Sequence, residues 1–220
     1  MDNIYIVIGS RGNVGSQIVQ RLRKLNKFVI TQLTSEILPF SNEELVQRTA
    51  SFFSENSIQL REAKVGVILA HRYRGDNIQI ALESELRITR DFIWSLSMLC
   101  ESLRVVVLGS IAGRHVDQKM PEAYHYAKDL QKSIVRQSVR IRNLHMNLLE
   151  LNWFEKFVEE LATDEYRKTI ANIKKRIGGD NLPSVDSITE FSCALIELQH
   201  PPRGETIIYD GGFSLFQENK

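Results

Sequence analysis

The sequence predicts an α/β fold, a doubly wound parallel sheet in a single domain, and three observations predict it. Short apolar runs rich in Ile and Val alternate with segments of helical periodicity along the chain. The first of these runs, Ile4-Tyr5-Ile6-Val7-Ile8, passes directly into a glycine-rich turn. The chain has 220 residues, of which 43% are hydrophobic; at about 150 residues per domain this is one domain, spanning 1–220, with a sizeable core. Strands separated by helices imply parallel pairing through right-handed crossovers. Sheets of that kind take ligands at the carboxyl ends of their strands.

Each element has its own signal. Ile4 to Ile8 is continuously apolar, as a strand covered on both faces would be. From Gln17 to Leu25 apolar residues recur at 18, 19, 22 and 25, a helical spacing. Phe28-Val29-Ile30 is a second strand, and a helix starts at Asn42 and runs to about Ser57. Val65 to Ala70 is the next strand. A long helix follows, from roughly Ile80 to Cys100, with Leu82, Leu86, Thr89, Phe92, Ile93, Leu96 and Leu99 on one side. Strand Val105–Leu108, a helix over about 123–139, strand Leu144–Leu149, a helix near Ser187–Leu198 and strand Thr206–Tyr209 complete the alternation. Ile37 to Phe40 is a further strand candidate, although Thr31 to Glu36 is too short to hold a crossover helix before it.

Composition removes several function classes. Lys+Arg 28 against Asp+Glu 27 gives a net charge of +1, which argues against a general polyanion binder such as a nucleic-acid coat. No apolar run reaches the roughly 18 residues of a membrane span, and Met1-Asp2-Asn3 leads straight into a strand rather than a signal peptide. Cys100 and Cys193 both fall in apolar helical patterns and read as reduced core residues of a cytoplasmic protein. The histidines show no paired metal-ligand spacing, so no metal is expected.

Gly9-Ser10-Arg11-Gly12-Asn13-Val14-Gly15 stands between the first strand and the first helix. Three glycines at steps of three suit a sharp turn that lets a pyrophosphate lie against backbone N–H groups at a helix N-terminus. No Gly-Lys-Ser/Thr follows, which excludes a Walker P-loop. The region after the second strand, Ile30 to Ser35, carries no acid to hold a ribose 2′-hydroxyl. Arg11 could meet a 2′-phosphate instead. This favours NADP over NAD; a solvated Arg11 is the alternative.

Tyr124 and Lys128 stand four apart in a helix and so share one face. A neighbouring ammonium stabilises a phenolate and makes it serviceable for proton transfer. Ser110, just beyond the strand ending at Leu108, could hold a carbonyl oxygen there. Tyr126 is out of phase, since the fourth residue after it is Leu130. His71, Arg72 and Arg74 follow one strand, and Arg114 with His115 follows another. Together they suit a phosphate or carboxylate on a substrate, or are simply solvated loop residues. Residues 153–177 exceed a tight strand–helix link and read as a lid over the substrate, or as a helical pair packed on the body.

With these residues in view, the chain resembles the short-chain dehydrogenase/reductase family, compact Rossmann-fold enzymes, over nearly its whole length. The resemblance rests on the glycine turn, whose spacing is atypical, on Ser110-Ile111-Ala112-Gly113, on Tyr124-His125-Tyr126-Ala127-Lys128, and on the tail Gly204 to Gly212 with its Asp-Gly-Gly ending. It implies an NAD(P)-dependent oxidoreductase, moving hydride between a nicotinamide and a carbonyl or alcohol carbon. In that reading Tyr124 is the acid/base, Lys128 assists it and holds the nicotinamide ribose, and Ser110 orients the substrate oxygen. Gly9 to Gly15 and Ala70 contact the cofactor. The family's helix asparagine has no counterpart, Glu85 or a neighbour standing there. The resemblance also implies a homodimer or homotetramer, built through the two long helices, about 80–100 and 123–139, and the C-terminal strand. The alternatives are a dinucleotide-binding sensor or scaffold, and a nucleotide-sugar-modifying member of the family.

Overall fold

The computed structural model describes residues 3–31, 42–55, 60, 64–73, 75–110, 121–151, 171 and 183–209. In chain order the elements are β1 (Asn3–Ile8), α1 (Asn13–Lys24), β2 (Phe28–Ile30), α2 (Asn42–Glu55), β3 (Lys64–Leu69) and α3 (Ile78–Glu85). A π-helical stretch, Leu86–Phe92, carries α3 into α4 (Ile93–Leu99). There follow β4 (Ser102–Ser110), α5 (Glu122–Gln137) with a terminal 3-10 turn (Ser138–Arg140), β5 (Leu144–Leu151), α6 (Val185–Glu197) and β6 (Thr206–Tyr209).

The strands form one sheet in the order β2-β1-β3-β4-β5-β6, every neighbouring pair parallel. The chain leaves β1 for β2 on one side and returns to β3 on the other. The connections after β1 and β3 therefore diverge to opposite sides and open a crevice at those two carboxyl ends.

The strands alternate their side chains with period two, which explains why both faces are apolar. Ile4, Ile6 and Ile8 of β1, with Val65, Val67 and Leu69 of β3, pack against Phe53 of α2, Phe92, Ile93 and Leu96 of the long helix and Ile134 of α5. Tyr5, Val7, Ile68, Val106 and Leu149 face Ile18 and Leu22 of α1 and Ile188, Cys193 and Ile196 of α6. Asn77 and Ser184 cap α3 and α6, each side chain accepting from the backbone N–H three residues on, at 3.0 Å in both cases.

The sequence expectations need adjustment at several places. The inward face of the long helix carries Ala81, Glu85, Thr89, Phe92, Ile93 and Leu96, while Leu82 and Leu86 are only partly buried. The π stretch shifts the helical phase, and periodicity reckoned at 3.6 residues per turn misses that shift. Strand β5 runs on through Glu150 and Leu151, two residues beyond the end expected at Leu149. The expected end of α2 near Ser57 lies outside the described residues. The strand candidate at 37–40, most of the segment 153–177 and the Asp210-Gly211-Gly212 ending lie outside the described residues.

Cys100 and Cys193 are both free and buried, and burial pushes their thiols up to about 12 and about 11. Among the described residues no cluster of His, Cys, Asp or Glu could hold a metal ion, and no helix is long and apolar enough to cross a membrane.

Helix α1 offers a direct test of the core assignment. Leu22 is fully buried, whereas Leu25, three residues on, is half exposed. Leu22→Ala should cost about 2–5 kcal/mol in urea denaturation, and Leu25→Ala should stay within about 0.5 kcal/mol of the parent.

Candidate active site

The glycine turn occupies the crevice. Gly9 has φ +82°, a left-handed conformation open to glycine. A Cβ there would lie 2.6 Å from the Ala70 carbonyl carbon and oxygen and 2.7 Å from the His71 nitrogen. A Cβ on Gly15 would collide with the Gly9 carbonyl oxygen. The turn is closed by the Gly12 N–H donating to the Gly9 carbonyl at 3.0 Å, while the Ala70 N–H donates to the Ile8 carbonyl at 2.8 Å. Backbone thus packs on backbone, bringing the start of α1 up to the sheet edge. No side chain caps the first turn of α1, so the end of the helix keeps its affinity for an anion. Val14 is buried beneath the turn, Ser10, Gly12 and Asn13 are half-buried, and Arg11 is exposed.

Tyr124 and Lys128 lie on one face of α5, and Tyr126 points outward to solvent. The Lys128 ammonium is 5.7 Å from the centre of the Tyr124 ring. It is buried, and it donates to the Leu108 carbonyl at 3.3 Å and to Gln131 Oε1 at 3.0 Å. The Leu108 carbonyl belongs to the last turns of β4, two residues before Ser110, so Lys128 is tethered to the strand that ends in Ser110. The Arg72 guanidinium lies 5.3 Å from the centre of the Tyr124 ring, giving the phenol a second cation nearby. Helix α5 reaches this position through contact of small residues, Ala123 and Ala127 against Ala81 of α3.

Sequence reasoning named Glu85 only as standing where the family's helix asparagine is expected, and missed the polar contacts it makes beneath these residues. Glu85 is buried, and its Oε2 accepts from Gln131 Nε2 at 2.8 Å and Thr89 Oγ1 at 2.8 Å, with His71 Nε2 at 2.9 Å. Burial by itself would raise the Glu85 carboxyl. The charge and hydrogen bond of His71, with help from Lys128 and Gln131, outweigh it and lower the group to about 2. The signal available in the sequence was a glutamate at an inward helical spacing, with Ala81 four residues before it and Thr89 four after. His71, which the sequence groups with the loop cations, is held through Nε2 by Glu85. Arg74, Arg114 and His115 lie outside the described residues.

No protein-family model matches this sequence, and no curated protein sequence matches it. Solved structures do match over nearly the full length. A small-chain dehydrogenase in complex with NADPH is similar at 10% identity and TM-score 0.69, covering 98% of this chain and 100% of that one. The 3-alpha-hydroxysteroid dehydrogenase from Pseudomonas sp. B-0831, complexed with NADH, is similar at 15% identity and TM-score 0.70, covering 99% and 100%. A short chain dehydrogenase from Leptospira borgpetersenii serovar Hardjo-bovis with bound NAD+ is similar at 13% identity and TM-score 0.73, covering 97% and 93%. The chain has the Rossmann-type fold of short-chain dehydrogenases.

The lowered Glu85 carboxyl makes a statement about acid stability. A folded value below the unfolded one contributes stability above the ordinary carboxylate range and loses it as pH falls through the folded value. The window runs from about 4.5 down toward 2. Across it the parent should lose on the order of 3 kcal/mol more than Glu85→Gln, measured by denaturation at a series of pH values.

Proposed function

We propose that this protein is an NAD(P)-dependent oxidoreductase that transfers hydride between a nicotinamide and a carbonyl or alcohol substrate. The observation that carries the reading is the Tyr124–Lys128 pair, tethered to the strand that ends in Ser110, with Arg72 over the Tyr124 ring and the preceding Ala70–His71 backbone against Gly9. The turn fits a dinucleotide, because the approach that a Cβ on Gly9 or Gly15 would block is what a pyrophosphate on backbone amides requires. Gly9, Ser10, Arg11, Gly12, Asn13, Val14, Gly15 and Ala70 would line its binding site. When bound, the nicotinamide supplies or accepts the hydride. NADP is preferred on the strength of Arg11, whose exposed guanidinium suits a 2′-phosphate.

The chain's own residues then divide the work. Ser110 donates a hydrogen bond to the substrate oxygen. In reduction, Tyr124 delivers its phenolic proton to that oxygen as negative charge develops there, and in oxidation it takes the proton back. Lys128, cationic and buried, stabilises the phenolate left behind, and would also hold the nicotinamide ribose. Arg72, stacked on the same ring, adds positive charge on the substrate side and favours a substrate with a carboxylate or phosphate. Arg74 and Arg114 would extend that preference, and 153–177 would close over the substrate.

We further propose a cytoplasmic homodimer or homotetramer built through α3–α4 and α5. Ile80, Met98 and Tyr126 on those helices are large apolar side chains left exposed, and free buried cysteines suit a reducing compartment.

NADPH oxidation against a panel of neutral and anionic carbonyl compounds tests the reading. Tyr124→Phe should lower kcat by about 100-fold or more while cofactor affinity, read by nucleotide fluorescence, is retained. Arg72→Ala should raise KM for anionic substrates by about 10-fold and leave cofactor affinity within about 2-fold. Equal loss of both would count against the anionic-substrate assignment, and absence of NADPH and NADH binding would overturn the dinucleotide site.

A further inference from the structure

The Lys128 ammonium is buried without touching a carboxylate in any of its described contacts; its polar partners are the Leu108 carbonyl and Gln131 Oε1. A buried charge needs a compensating one. The nearby candidate is Glu85, and the amide of Gln131 lies between them, Nε2 toward Glu85 at 2.8 Å and Oε1 toward Lys128 at 3.0 Å. A primary amide donates at one end and accepts at the other. Turned over, this one would set its NH2 against an ammonium and its oxygen against a carboxylate, two repulsive contacts in a dry site. The negative charge on Glu85 therefore decides which end of Gln131 Lys128 meets.

We infer that Glu85 is a positioning residue for Lys128, acting through Gln131, and that His71 couples this chain to the loop packed on Gly9. Thr89 and His71 fix the carboxylate itself, each bound to the same oxygen. The backbone of His71 is among the atoms that a Cβ on Gly9 would strike. One continuous set of contacts thus joins the glycine turn to the ammonium below Tyr124. The inference rests on the role given to Lys128 above and adds the group that holds it.

The test compares Glu85→Gln with the exchange Glu85→Gln/Gln131→Glu. The single variant keeps shape and removes charge. The exchange returns a carboxylate to the chain, now directly on Lys128, but leaves His71 facing an amide. Two readouts are needed: the 15N–1H signal of the Lys128 ammonium, assigned with Lys128→Met, and kcat with cofactor KM. Glu85→Gln should exchange-broaden or shift the ammonium signal and lower kcat about 10- to 100-fold, with cofactor KM within about 2-fold. The exchange should restore the signal and most of kcat. An unchanged ammonium signal in folded Glu85→Gln overturns the inference, as does a folded exchange variant with no recovery, because Glu85 would then serve only to pin His71. If Glu85→Gln does not fold, Gln131→Met reads the same link while leaving His71 and Thr89 on Glu85, with the same loss expected. The ammonium signal needs neither cofactor nor turnover. A parent that fails to bind NADPH or to turn over therefore refutes the oxidoreductase reading without deciding this one.

Discussion

The close contact between the backbone at Gly9 and the backbone at Ala70–His71 is the constraint on which the rest of the structure depends. The strands after which it occurs are neighbours in the sheet, yet the chain departs from them to opposite sides. With the Gly9 and Ala70 backbones too close for any Cβ, α1 begins at the sheet edge rather than above it. Its first-turn amides and the loop holding His71 and Arg72 then border the same crevice. Any side chain at position 9 would push the two loops apart and separate the anion-accepting helix end from the residues on α5.

Burial of Glu85 and Lys128 works against stability taken alone. Removing charges from water costs several kcal/mol per ion, and well-packed apolar groups at such sites often serve stability as well or better. Here the carboxylate accepts three hydrogen bonds and the ammonium donates two. The site tolerates its charges because these hydrogen bonds offset part of that cost. The polar chain also runs between α3 and α5 just above the small-residue contact of Ala81 with Ala123 and Ala127, so the close approach of the two helices keeps it dry and short.

Much of this was legible in the sequence, for reasons that differ by element. The strands were readable because each lies between two helical layers and shows an unbroken apolar run, as in Ile4 to Ile8. The glycine turn was readable because its backbone geometry demands particular residues at fixed steps. The Tyr124 and Lys128 pair was readable because a spacing of four on a helix guarantees a shared face. Glu85 was not. Its partners come from the loop after β3, from its own helix and from α5, and the distance in sequence to Gln131 leaves no local trace. The inward face of the long helix was misjudged at Leu82 and Leu86 because periodicity assumes a uniform 3.6 residues per turn, and the π stretch departs from it.

That π stretch begins at the residue after Glu85 and ends at Phe92, where the helix meets the main core. A wide turn of this kind absorbs one residue more than an α-helix of the same length. Each helical residue turns the chain by about 100°, at 3.6 per turn. A single deletion between 86 and 92 that relaxed the segment to regular α-helix would therefore keep Glu85 facing Gln131 with Phe92, Ile93 and Leu96 still seated, whereas a deletion in the regular helix between Phe92 and Leu96 would turn Glu85 by about 100° relative to the core beyond it. Insertions and deletions are ordinarily harmless only in loops; in this molecule the loss of one codon in mid-helix would leave both the polar chain and the hydrophobic layers in register.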